Sequence, residues 1–237
     1  MTYIILIAGK GSRLNPITNN APKTLFKLDN NTTVLKRMVN LINRFDKEAQ
    51  IVLVTGFKYK RIEEEIKNCE IYYNPFFNVT NSIASLWLAR ERMDGEITII
   101  NGDVVTSTQL AKEILTQSTK TPLVLMDSSI KTDGDYNVQV DHEKVVVMSK
   151  DLSYYDGEYV GITKLDPETT RQLKHKIEEM VDHGYSDQWY ENALVEMIFY
   201  DNLTLRYIDI AGYQWTEVDS VNDLLRAKQI HYAENAE

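Results

Sequence analysis

Apolar positions in the first half of the chain fall into two alternating patterns. Residues 3–8, 51–55, 71–73 and 97–101 are short runs rich in Ile, Val, Leu and Tyr, the pattern of β-strands. Between them, residues 34–45, 60–67 and 82–92 read as amphipathic helices, and another helix is expected near 110–115. Strand followed by helix, repeated, predicts an α/β fold: a mostly parallel, Rossmann-like sheet with helices on both faces. In such sheets ligands bind at the carboxyl ends of the strands.

The second half is richer in strands. Residues 123–126, 137–140, 144–148, 159–165 and 205–210 carry strand patterns, and residues 167–182, 188–198 and 221–232 carry helical ones. Asp141-His142-Glu143, between two alternating runs, reads as a hairpin turn. No repeat, low-complexity tract or linker interrupts the chain, so residues 1–237 are expected to form one domain.

Composition narrows the functional classes. A formal net charge of −9 without a long Lys/Arg run argues against a nucleic-acid binder, whose phosphate contacts need a basic face. The single Cys69 excludes an internal disulfide, fits a reducing compartment and lacks the companions of a structural zinc site. No apolar stretch approaches the roughly 18 residues of a membrane span, and residues 3–8 are too few for a signal-peptide core. The expectation is a cytoplasmic protein, monomeric or homodimeric, with no membrane or nucleic-acid partner. Its four histidines, His142, His175, His183 and His231, are scattered and expected on the surface.

The chemistry concentrates in Ile5-Leu6-Ile7-Ala8-Gly9-Lys10-Gly11-Ser12-Arg13-Leu14-Asn15-Pro16-Ile17-Thr18, followed by Pro22-Lys23. Gly9 and Gly11 end an apolar strand in a turn whose backbone N–H groups can face an anion. Arg13 can fork onto phosphate oxygens, and Lys23 can add a second positive charge. A P-loop is excluded because Lys10 lacks both its upstream glycine and a following Ser/Thr, and the dinucleotide fingerprint fails at Leu14.

The whole run matches (L/I)-x-A-G-x-G-(S/T)-R-(L/M)-x-P-x-T-x-x-x-P-K. It resembles the nucleotidyltransferases that activate small phosphorylated compounds. One departure is Ile7, where that family usually has a small residue near the base-binding turn. The resemblance implies a nucleotide-binding half, about residues 1–120, and an acceptor-binding half, about residues 121–237. It implies nucleotide contacts from Leu6, Ala8, Gly9, Gly11, Ser12, Arg13, Asn101 and Gly102, and catalytic roles for Arg13, Lys23 and Lys150. Asp103 and Asp219 would be ligands of the cofactor Mg²⁺, each with helix capping as its plainer alternative. Lys150 has a solvated turn lysine as its alternative, and Glu158, an acceptor candidate, a strand-edge carboxylate.

Residues 73–87 hold Asn74, Asn81 and Ser85 in an N-x₆-N-x₃-S-L spacing similar to that of the phosphocholine and 2-aminoethylphosphonate cytidylyltransferases. Asn81 and Ser85, four apart, share one helix face toward nucleotide or acceptor. The subgroup implies CTP and a small phosphate- or phosphonate-bearing acceptor as partners. An ammonium on that acceptor could rest on aromatic faces, for which Tyr136, Trp189, Tyr190 and Trp215 are candidates; each can also be core. Two alternatives stay open: a sugar- or polyol-1-phosphate nucleotidyltransferase, and a catalytically inactive nucleotide-sensing subunit.

Overall fold

Ile4, on strand β1 (Thr2–Ile7), joins one apolar cluster, while Tyr3, Ile5 and Ile7 join another. That alternation places β1 between two cores. In chain order the further elements are α1 (Val34–Phe45), β2 (Gln50–Thr55), α2 (Tyr59–Glu65), β3 (Glu70–Tyr73), α3 (Ser82–Leu88), β4 (Ile97–Asn101) and β5 (Val104–Thr106). Then come α4 (Thr108–Leu110), running into a π-turn at Ala111–Leu115, β6 (Leu123–Asp127), β7 (Asn137–Asp141), β8 (Lys144–Ser149) and β9 (Gly157–Leu165). The chain ends in α5 (Pro167–Asp182), α6 (Tyr190–Tyr200), β10 (Arg206–Asp209), β11 (Trp215–Glu217) and α7 (Val221–Asn235). This computed structural model describes residues 1–14, 16–130 and 136–235; Asn15 of the glycine-rich segment lies outside the described residues.

Among the described residues, nine strands form one sheet in the order β3-β2-β1-β4-β9-β6-β10-β8-β7. β1, β2, β3 and β4 are mutually parallel, as their connecting helices require, and β6 pairs parallel with β10. β9 runs antiparallel between β4 and β6 and ties the two halves into a single mixed sheet. Val52 and Val54 face the core shared with α3, α5 and α6, whereas Ile51 and Leu53 face the core under α1. Each fully buried aliphatic side chain contributes about 2 kcal/mol relative to exposure.

Local signals set the helix ends. Thr33 accepts from the Lys36 N–H at the start of α1, and Asp166 accepts from Glu168 and Thr169 ahead of Pro167 in α5. The helix expected over residues 82–92 is shorter: α3 stops at Leu88, and a 3₁₀ turn, Arg90–Arg92, follows. His142 sits at φ 55° in the expected hairpin turn.

His231 departs from the surface expectation, with only 5% of its area exposed. Its Nε2 lies 2.6 Å from Asp29 Oδ2 and its Nδ1 3.2 Å from Arg37 Nη1. A guanidinium only donates, so Nδ1 accepts and Nε2–H donates to Asp29. Arg37 Nη2 also donates to the Thr106 carbonyl at 2.9 Å, fastening α7 to α1 and β5. Among the described residues no helix is long and apolar enough to cross a membrane.

Candidate active site

The glycine loop leaves the carboxyl end of β1 and passes over the sheet. Gly11 adopts φ +62°, and a Cβ there would lie 3.2 Å from the Lys23 side chain. The loop is held from behind, since Thr18 Oγ1 and the Leu14 N–H both donate to the Gly11 carbonyl at 3.1 Å. Pro22, extended at ψ 149°, leads into the 3₁₀ turn Lys23–Leu25 and brings Lys23 back beneath the loop.

β4 ends at Asn101, and the Gly102 N–H donates to the Leu6 carbonyl at 3.0 Å, setting Asp103 at the same edge as the loop. A side chain on Gly102 would overlap Ile7, so the missing Cβ makes room for the larger residue this chain carries there. β5 and β11 form a separate antiparallel ribbon with Glu217 opposite Val104. That ribbon brings Glu217 and Asp219 beside Asp103, across more than a hundred residues of chain.

Neither aspartate caps a helix. Ser107 caps α4, and Ser220 and Asp223 cap α7 reciprocally, the Asp223 carboxylate accepting from the Ser220 N–H at 2.7 Å. Both aspartates are therefore available to the cleft. Lys23 Nζ contacts Asp103 Oδ2 and lies 2.6 Å from Asp219 Oδ1, and Arg13 Nη2 lies 2.9 Å from Asp219 Oδ2. Burial alone would lower the Lys23 pKa, but Asp103 and Asp219 outweigh it and hold the ammonium above the ordinary lysine value. Burial likewise lifts the Asp219 carboxyl, with Lys23 pulling in the opposite direction.

Oxygens of Asp103, Glu217 and Asp219 lie within 4.8 Å of one another. Among the described residues, buried Asp103 Oδ1 has no hydrogen-bond partner. An orphaned carboxylate oxygen among three hard donors fits a divalent cation such as Mg²⁺, which prefers oxygen ligands and keeps several waters.

The opposite wall is aromatic. Tyr136 meets Trp189 edge to face at 5.6 Å between centroids and Tyr159 at 6.1 Å. Lys150 Nζ stands 4.0 Å from the Trp189 centroid. Glu191, in the first turn of α6, lines the same cleft with 5% of its area exposed. Its carboxyl is raised to about 7 by burial, while its own backbone N–H, Lys150 and Ser82 pull it down.

A cleft of about 380 Å³ joins these walls. It brings together Leu6, Ala8, Gly9, Gly11, Ser12, Arg13, Lys23, Asn81, Ser85, Asn101, Asp103, Tyr136, Lys150, Trp189 and Asp219, all expected near the site. Asn74 organises the loop before α3, its Nδ2 donating to Thr80 and Ser85 at 3.1 Å and its Oδ1 accepting from Phe76. Gly102 is buried against Ile7 and does not line the cleft.

Three acceptor candidates sit elsewhere. Tyr190 is fully buried, with its hydroxyl 2.6 Å from that of Tyr159 and 3.0 Å from Thr163, because the residue after Trp189 turns inward on α6. Trp215 is also core, its indole N–H donating to buried Asp127 at 2.7 Å. Glu158 and Trp215 line an adjoining pocket of about 300 Å³ that shares Arg13, Glu217 and Asp219 with the main cleft. Sequence reading missed Glu217 and Glu191. Glu217 stands two residues before Asp219, and that two-residue offset was a usable signal.

Comparison with known proteins supplies independent findings. Residues 2–144 match the family described as nucleotidyl transferase. The chain is 24% identical over 245 residues to the choline-phosphate cytidylyltransferase of Streptococcus pneumoniae, covering 99% of this chain and 100% of that protein. It is 24% identical over 234 residues to a bifunctional IPC transferase and DIPP synthase of Aquifex aeolicus, covering 96% of this chain but only 51%, about half, of the relative's length. A solved CTP:phosphocholine cytidylyltransferase from Streptococcus pneumoniae superposes with a TM-score of 0.78 at 18% identity, covering 97% of this chain and 98% of that one.

Proposed function

Because the chain belongs to the nucleotidyl transferase family, we propose that it transfers CMP from CTP to a small acceptor carrying a phosphate or phosphonate and a positive amine, with Mg²⁺, releasing pyrophosphate. The observation that carries this reading is the division of one cleft. Arg13, Lys23 and three carboxylates form one wall, and Tyr136, Trp189 and the buried Glu191 form the other. The first wall suits a triphosphate, and the second suits an ammonium. The cytidylyltransferase relative from Streptococcus pneumoniae agrees in nucleotide and in acceptor type.

The nucleophile is already an anion, so no general base is required. The acceptor oxygen forms a bond to the α-phosphorus of CTP as the bond to the bridging β-phosphate oxygen breaks, and the electron pair leaves with pyrophosphate. The barrier is repulsion between anions, which fixed positive charge and alignment lower. Gly9, Gly11 and Ser12 offer the loop to the triphosphate, and Arg13 beside them supplies a guanidinium. Lys23 rests between Asp103 and Asp219 and can turn its ammonium to phosphate oxygens. Asp103, Glu217 and Asp219 would hold Mg²⁺, which when bound neutralises phosphate charge. Asn81, Ser85 and Asn101 line the same cleft and offer polar groups to the nucleoside or the acceptor.

Pyrophosphate release tests the reading directly: the common NTPs are paired with phosphocholine, phosphoethanolamine, 2-aminoethylphosphonate and hexose-1-phosphates. CTP with an amine-bearing acceptor is expected to turn over fastest. Faster turnover of glucose-1-phosphate with UTP or dTTP would make the protein a sugar-1-phosphate nucleotidyltransferase instead, and nucleotide binding without release on any pair would favour the nucleotide-sensing alternative.

A further inference from the structure

The aromatic wall already holds a cation, and it comes from the chain itself. Lys150 follows β8 on an exposed turn, and its ammonium lies over the Trp189 ring at 4.0 Å, with the buried Glu191 carboxylate lining the same end of the cleft. Trp189 is braced edge-on by Tyr136, whose hydroxyl donates to Asn192 at 3.0 Å. The rings are thus fixed, while the four-carbon lysine stem is flexible and solvated. A rigid receptor for an ammonium, filled by a movable one, is the arrangement of a place-holder.

We propose that Lys150 occupies the acceptor's ammonium position in the free protein, and that the acceptor's ammonium displaces it from Trp189 toward the acceptor's phosphate or phosphonate. This rests on the amine-bearing acceptor proposed above and adds a specificity device to it. An acceptor with an ammonium replaces the cation it expels, so the Trp189 face stays occupied and Lys150 gains an anion. A neutral acceptor must draw Lys150 away from the rings and leave them empty. Discrimination against sugar phosphates then comes from the lysine as well as from the receptor.

The place-holder makes two opposite predictions for one substitution. In Lys150→Met the competing ammonium is gone, so choline, which has the ammonium but no phosphate, should bind about fivefold tighter than to the wild type. Phosphocholine should bind about tenfold more weakly, because the phosphate loses a charged donor. A lysine with a merely structural role would shift both ligands the same way or neither. In the unaltered protein, the Lys150 ε-CH₂ proton signals, assigned by their loss in Lys150→Met, should lie upfield under the Trp189 ring current and move to ordinary positions on saturation with choline. Equal choline affinity in both proteins, or a Lys150 signal that choline does not move, overturns the place-holder and leaves the amine acceptor standing. If choline does not bind, ethanolamine takes its place in the same comparison; no binding of either amine by either protein overturns the acceptor reading and this inference with it.

Discussion

The backbone N–H of Val218 donates to the carbonyl of Asp103 at 3.0 Å. This bond continues the β5–β11 ribbon by one step and sets the separation of the carboxylates on either side of it. Backbone geometry, rather than the side chains alone, therefore positions the three acids.

Asp103→Asn and Asp219→Asn should each reduce turnover about 10²-fold or more, because an amide binds Mg²⁺ far less well than a carboxylate. Glu217→Gln should instead raise the Mg²⁺ concentration needed for half-maximal rate. A Mg²⁺ titration of each variant, with melting curves to establish folding, separates the effects; activity surviving in Asp103→Asn at moderate Mg²⁺ would remove it from the metal site.

Arg13→Ala and Lys23→Ala should leave the fold intact and lower kcat by about 10²–10³-fold, the usual cost of losing a group that stabilises developing phosphate charge. Lys23→Ala additionally leaves Asp103 and Asp219 without their shared ammonium, so its melting temperature should rise on adding Mg²⁺ more than that of the wild type. Single-turnover rates at saturating CTP and calorimetry check the two statements.

Glu191 gives a pH dependence with a definite sign. Its carboxyl titrates near 7 in the folded protein against an ordinary value of 4.5, so it is ionised in the unfolded chain and neutral in the native one between those values. Stability should fall as pH rises from about 4.5 to about 7 and then level off, a loss on the order of 3 kcal/mol. Lys150, Ser82, Tyr136, Tyr159 and Tyr190 face this group, and the tyrosines stay neutral over the window. Glu191→Gln should melt higher than the wild type at pH 8 and match it near pH 4.5, and it should lack the rise in amine-acceptor affinity expected of the wild type as Glu191 ionises through pH 7.

Trp189 and Tyr190 are neighbours in sequence with different expected effects. Trp189→Leu should raise the acceptor KM roughly tenfold with little change for CTP, since the ring faces the cleft. Tyr190→Phe should cost about 1 kcal/mol of stability, because it removes a buried hydroxyl from the Tyr159 and Thr163 network, with both KM values near wild type. Denaturant melts and initial rates on both variants decide it.

The sheet's first four strands were legible because each is a short run rich in apolar residues, and α1 and α5 because their apolar positions recur at helical spacing. The β5–β11 ribbon was not legible: three-residue strands carry too little periodicity, and their pairing is defined only in space. Aromatic residues next to each other at a helix start read alike in sequence, yet successive helical positions point about 100° apart, so Tyr190 went to the core. His231 was misplaced for a similar reason, since its partners Asp29 and Arg37 lie far away along the chain.

The ribbon also has a consequence during synthesis. Asp103 emerges with β4, early in a chain made from its amino end, whereas Glu217 and Asp219 emerge with β11, and α7 must follow before His231 can fasten to Arg37. A growing chain can therefore complete its glycine loop and first four strands while its acid cluster is still one carboxylate. The three carboxylates come together only once β11 has paired with β5.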